Sequence, residues 1–227
     1  MARGGAHPLH GSRGPSRSEP SRGSVDVRRR QTLEGVEANA RLTASTGGVL
    51  FVLLAAEGVT ILRVRGLLGA HVFLGMMLIP PVALKIGTTG YRFVRYYRGN
   101  PAYRQKGPPP LVLRLIGPAV VVLTAVVLVS GVALLLVPSS SRHALLELHK
   151  LSFVAWFIVT AVHVLGHLGD TARLAPLDWV RRPARALTGT PGRRAAVSAA
   201  LVVGVGLGAL LVGRVGPYVA STPHVGK

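Results

Sequence analysis

Residues 145–168 read LLELHKLSFVAWFIVTAVHVLGHL, and in that stretch only Glu147 and Lys150 carry a formal charge. It is long enough to cross a hydrocarbon core of about 30 Å as a helix. Lipid offers nothing to hydrogen-bond a bare N–H or C=O, so a crossing chain must satisfy its backbone internally, and a helix does this within one segment. Four other stretches share this character: Leu42–Leu62, Leu67–Gly87, Leu111–Val137 and Ala195–Gly213. The expected fold is therefore all-α, a polytopic transmembrane helix bundle of five spans, with a four-helix core and one C-terminal helix. Residues 42–213 form the membrane domain. Residues 1–41, rich in Gly, Ser, Pro and Arg and without apolar periodicity, are expected to be a disordered basic segment. They hold no apolar core of the kind a secretory signal needs. Residues 214–227 are expected to be a short tail.

Composition agrees with this layout. The 227 residues are 49% hydrophobic and 15% charged, yet the net charge is +19. The mean hydropathy is +0.43. A soluble domain so basic is usually a polar nucleic-acid binder, whereas here charge-free stretches alternate with arginine-rich ones. The apolar content also excludes a wholly disordered chain. There is no cysteine, which excludes disulfides, iron–sulfur clusters, thiolate zinc sites and covalently attached c-type haem.

The basic residues order the spans. Segments 1–41, 88–114 and 169–194 hold 8, 6 and 6 Lys and Arg, while segments 63–66, 138–144 and 214–227 hold 2, 1 and 2. This alternates in phase with five spans. The positive-inside rule then puts the N-terminus in the cytoplasm of a multi-pass cell-membrane protein and the C-terminus outside. If the Gly-rich fifth span lies on the surface instead, the tail stays inside. Pro108-Pro109-Pro110 reads as a stiff lead into the third span. The mixed run Tyr91-Arg-Phe-Val-Arg-Tyr-Tyr-Arg98 is expected in a loop, as an interfacial belt against anionic lipid rather than an RNA-stacking surface. No specific nucleic acid is expected as a partner; the bilayer is.

Ionisable residues inside spans are expensive and are candidates for function. Here they are Glu57, His71, Lys85, Glu147, His149, Lys150, His163 and His167. Spans two and four run in the same direction, and His71 and His149 each lie a turn inside them. The two imidazoles are thus expected at one depth near the outer face, where they could ligate one haem iron from opposite sides. His163 follows His149 by 14 residues, which puts both on one helix face about 21 Å apart. Lys85 follows His71 by the same interval and shares the depth of His163. Its role is open between a haem propionate, a lipid phosphate, the polar end of a quinone and simple snorkelling. His167, one turn beyond His163, is either an alternative inner ligand or an interfacial anchor. Glu57 is open between pairing with Arg63 or Arg65 and accepting from a ligand histidine's ring N–H. Glu147 and Lys150 read as solvated interface charges.

Zinc finds no thiolates, and the trio of His71, His149 and Glu57 fits a bare metal less well than the histidine pair fits a haem. No glycine-rich phosphate loop, HExxH or GxSxG pattern occurs. Gly204, Gly206 and Gly208 lie inside an apolar span and read as close helix packing, as do Gly47, Gly48 and Gly69.

Residues 67–168 resemble the helical core of membrane-bound b-type cytochromes, the broad bacterial cytochrome b561 and cytochrome b group. They are also similar to uncharacterised actinobacterial membrane proteins. The carrying residues are His71 in GAHVFLGMMLIPPVALK and His149 with His163 in LHKLSFVAWFIVTAVHVLGH. The resemblance implies haem b held by His71 and His149, with His163 as ligand of a second haem. Lys85 departs from it, standing where a two-haem pattern would have histidine. The resemblance further implies an electron-transfer subunit of an oxidoreductase complex rather than a stand-alone enzyme, with a quinone and a redox subunit as partners. The competing reading is a non-haem membrane scaffold, assembly factor or transporter-associated protein.

Overall fold

In the computed structural model, residues 22–105, 107, 110–180 and 187–220 are described. They form helices and turns, with no strand among them. The helices are α1 (Arg22–Leu62), α2 (Val64–Tyr97), α3 (Pro101–Gln105), α4 (Leu111–Leu136), α5 (Arg142–Leu174), α6 (Thr190–Val212) and α7 (Val215–Ala220). Short 3-10 turns at Ser139–Ser141 and Ala175–Asp178 flank α5. Five helices are long and apolar enough to cross a membrane, as the sequence predicts. α1, α2, α4 and α5 pack as a four-helix core, with α1 against α2 and α5, and α4 against α5 and α2. α6 lies along α2 as the fifth long helix.

Two sequence expectations need correction. The part of residues 1–41 that is described, from Arg22 onward, is not disordered but continuous with the first span, making α1 a helix of 41 residues. Nearest the first span, the support is tertiary and leaves no local pattern. Val36 is buried against Ala102 and Tyr103 of α3, with Tyr96 packed beside them. Asn39 Nδ2 donates to the Thr88 carbonyl of α2 at 3.2 Å. Residues 1–21 lie outside the described residues, as do Pro108 and Pro109. The aromatic-arginine run is likewise no loop, because α2 continues through it to Tyr97. Arg95 sits over the Tyr91 ring at 5.9 Å and Arg114 over the Tyr97 ring at 5.6 Å. The second of these cation–π contacts holds the end of α2 to the start of α4. The 214–227 tail contains the short helix α7, and residues 221–227 are outside the description.

The α2–α6 contact shows why span five is glycine-rich. A β-carbon at Gly204 would stand 2.5 Å from the Met77 carbonyl oxygen, and one at Gly208 would stand 2.8 Å from that of Phe73. Gly206 faces open space and takes no part. Pro80 and Pro81 lie within α2. Pro81 has no N–H to give the Met77 carbonyl four residues back. That carbonyl is the one Gly204 packs on, so the gap in the α2 ladder and the gap in the α6 side chains meet. Close backbone approach of this kind replaces the hydrophobic drive that lipid does not supply.

Candidate functional site

Near the α1–α2 turn, four helices bring polar side chains to one place. His71 of α2 and His149 of α5 meet with ring centroids 6.4 Å apart and planes at 80°. Each ring is held at its Nδ1. For His71 the partners come from α1: Glu57 Oε1 at 2.9 Å and Thr60 Oγ1 at 3.1 Å. Thr60 Oγ1 gives its own proton to the Glu57 carbonyl at 2.6 Å, so towards His71 it accepts. For His149 the partners come from α4: the Val127 carbonyl at 3.1 Å and Ser130 Oγ at 3.0 Å. Ser130 Oγ also bonds the Val127 carbonyl at 3.1 Å. Glu57, Thr60 and Ser130 are all buried.

These partners settle the tautomers. A carbonyl can only accept, so the proton sits on His149 Nδ1 and the lone pair on Nε2. An ionised Glu57 imposes the same choice on His71. Among the described residues, neither Nε2 has a hydrogen-bond partner. The small residue at Gly131 makes the seat for His149, since a β-carbon there would meet its Cε1 at 3.2 Å. Gly75, a turn after His71, faces Glu57 Oε1 in the same way at 3.5 Å.

The donor set can be tested against a haem. A metal–imidazole bond is about 2 Å, so two axial imidazoles on one iron have centroids about 6 Å apart. The observed 6.4 Å fits. Ring N–H groups bonded to a carboxylate and to a backbone carbonyl are the usual support of metal-ligating histidines. Among the described residues, no group of three or more His, Asp or Glu is arranged to hold a bare metal ion. Glu57 is spent on the far nitrogen of His71, which removes it from the trio.

The other end of the bundle is built differently. His163 and His167 lie on the same helix, with rings 4.7 Å apart. They therefore cannot take opposite faces of one planar group. Lys85, across the bundle, donates to the Thr43 carbonyl of α1 at 2.7 Å. It is near enough to both imidazoles to act on them electrostatically. His163 Nδ1 is buried without a partner. Glu147 and Lys150, which flank His149 in sequence, pair with each other at 3.0 Å on the exposed surface.

Sequence reading missed an ionic cluster beyond this end. Asp178, almost fully buried, takes a two-pronged hydrogen bond from Arg193, Nε to Oδ2 at 2.5 Å and Nη2 to Oδ1 at 2.9 Å. Arg41 Nη1 stands 3.6 Å from Oδ1. Arg194 Nε donates to the Asp178 carbonyl. The cluster ties α1, the turn after α5 and the start of α6. No signal in the chain joins residues so far apart; the three only look like loop charges.

Comparison with protein-family models, with curated proteins and with solved structures found no match.

Proposed function

We propose that the chain is a membrane b-type cytochrome-like electron-transfer subunit that holds one haem between His71 and His149. The observation that carries this reading is the pair of imidazoles from opposing helices, each fixed at Nδ1 by an acceptor and each with a free Nε2. A bound haem b would supply a one-electron carrier. Everything else is the work of the chain. Glu57 and Thr60 hold the His71 proton at Nδ1, and Val127 with Ser130 holds that of His149. Both imidazoles are thus presented as neutral ligands in fixed orientation. Holding the haem between His71 and His149 would favour electron transfer over oxygen chemistry. A quinone and a redox subunit are the partners that such a carrier would exchange electrons with.

A dithionite-minus-oxidised spectrum of protein expressed with ample haem tests this. Wild type is expected to show the split bands of six-coordinate haem b. His71→Ala and His149→Ala are each expected to abolish them, and His163→Ala to leave them. A wild type without a haem signal overturns the reading in favour of a non-haem scaffold.

We also infer that the protein lies in the cell membrane with the Arg41–Asp178 end in the cytoplasm. The 20-to-5 division of basic residues between alternate segments supports this. The chain has no native cysteine, so single cysteines report topology cleanly. Asn100→Cys is expected to resist an impermeant maleimide in intact cells, and Ser140→Cys to react.

A further inference from the structure

At the Lys85 end the bundle is rich in donors and short of acceptors. An ammonium carries three donors, and Lys85 Nζ uses one, on the Thr43 carbonyl. Thr43 Oγ1 and His163 Nδ1 are buried with no partner. His167 lies against His163. Arg92, two turns beyond Lys85 on the same face of α2, is within electrostatic range of His167. Among the described residues, no carboxylate lies within ion-pairing distance of Lys85, Arg92, His163 or His167. Asp170, a turn beyond His167 on α5, is exposed; it lies within electrostatic range of His167, as Arg92 does, but pairs with none of the four. Asp178 is already held by Arg193. The seat of the ammonium is shaped by an absent side chain: a β-carbon at Gly47 would stand 2.9 Å from Lys85 Nζ and 3.7 Å from Thr171 of α5.

A cation inside a membrane bundle with no ion-pair partner is costly. Each buried polar atom without a partner adds its own desolvation cost. One ligand bearing anionic oxygens relieves both. Lys85 stands where the apolar stretch Leu67–Gly87 gives way to Arg92, Arg95 and Arg98. That is the depth at which lipid phosphates are concentrated. Lys85, His163 and His167 are all partly exposed, so the cluster can be reached.

We propose that Lys85, Arg92, His163 and His167 form an anion site that takes the phosphate of an anionic phospholipid, with Lys85 as its deepest cation. The site shares no residue with the His71–His149 pair and stands or falls independently of the haem.

The test uses the full-length protein, purified in neutral detergent and stripped of lipid. It is titrated with palmitoyl-oleoyl phosphatidylglycerol, with the diacylglycerol of the same chains, and with inorganic phosphate. Binding is read by native mass spectrometry and by thermal unfolding. Phosphatidylglycerol is expected to be retained at least tenfold more than the diacylglycerol and to raise the unfolding temperature. Lys85→Met, Arg92→Gln and His167→Gln are each expected to weaken retention severalfold or more. Equal retention of the two lipids overturns the proposal, as does retention unchanged in the variants. Protection by inorganic phosphate as strong as by the lipid, with the same residue dependence, sustains the anion site and overturns the phospholipid as its source. Lys85 also ties α2 to α1. If Lys85→Met does not fold, the other two variants, which leave that bond in place, decide the outcome.

Discussion

The two ends of the bundle use histidine in opposite ways. At the Glu57 end each imidazole meets an acceptor, and every protein bond to the rings falls on Nδ1. At the Lys85 end His163 and His167 lie against each other, and His163 Nδ1 is buried without a hydrogen-bond partner among the described residues. The first arrangement leaves each imidazole a lone pair on Nε2. The second gathers positive charge and spare donors. What separates them is the helix pairing: α2 and α5 each contribute one histidine at the first end, whereas α5 alone contributes both at the second. A matched 14-residue interval in the sequence thus produces two unlike sites, because α2 carries Lys85 where α5 carries His163.

The haem variants break or keep this contrast most sharply. If His149→Ala and His163→Ala lost the spectral signal equally, the ends would be alike and the contrast would fail. The expected result is total loss in one and retention in the other.

Next in size is the ionic clamp beside the Lys85 end. Asp178→Ala leaves the Arg193 guanidinium buried without its carboxylate. Breaking one side of a buried pair costs about 3–5 kcal/mol. The melting temperature in detergent is expected to fall by well over that of any surface variant, and with it the attachment of α6 to α1. The haem spectrum of the folded fraction is expected to be unchanged, since the clamp touches only one end.

Gly208→Leu should cost less. The added side chain must push aside Phe73, whose carbonyl and ring a β-carbon at this position would already meet at 2.8 Å. Overpacking of a close contact costs about 1–3 kcal/mol. Gly206→Leu, which faces open space, is expected to melt as wild type does. Equal effects in the two variants would mean that α6 does not use this face.

Much of the fold could be read from the chain because lipid imposes a coarse rule that composition obeys. Five long charge-poor stretches became five long helices. The common depth of His71 and His149 followed from counting residues into parallel spans, and the structure puts the rings 6.4 Å apart. The sequence leaves Glu57 open between Arg63, Arg65 and a histidine, because one dimension cannot say that it faces α2 rather than the turn that follows it. The clamp was invisible for a stronger reason. Arg41, Asp178 and Arg193 are far apart in sequence and each resembles an ordinary loop charge. The last turns of α1 before Arg41 are not legible locally because their support is tertiary, supplied by Val36 on Tyr103 and by Asn39 on α2. Local periodicity carries none of that.

The finest probe of the contrast is Glu57→Gln. The amide oxygen still accepts from His71 Nδ1, so the tautomer and the ring orientation persist. What goes is the negative charge that makes the imidazole a stronger ligand. Loss of an outer partner lowers metal affinity about 10–100-fold, and a variant that keeps the hydrogen bond belongs at the low end of that range. Weaker donation also favours the ferrous form, so the midpoint potential is expected to rise, measured by redox titration of the haem bands. His149 leans on a neutral carbonyl already, and Ser130→Ala removes only the hydroxyl beside that bond, so its potential shift is expected to be smaller. If Ser130→Ala moved the potential as far as Glu57→Gln does, the charge on Glu57 would be doing nothing that a hydroxyl does not. The asymmetry between the two axial partners would then have to be abandoned.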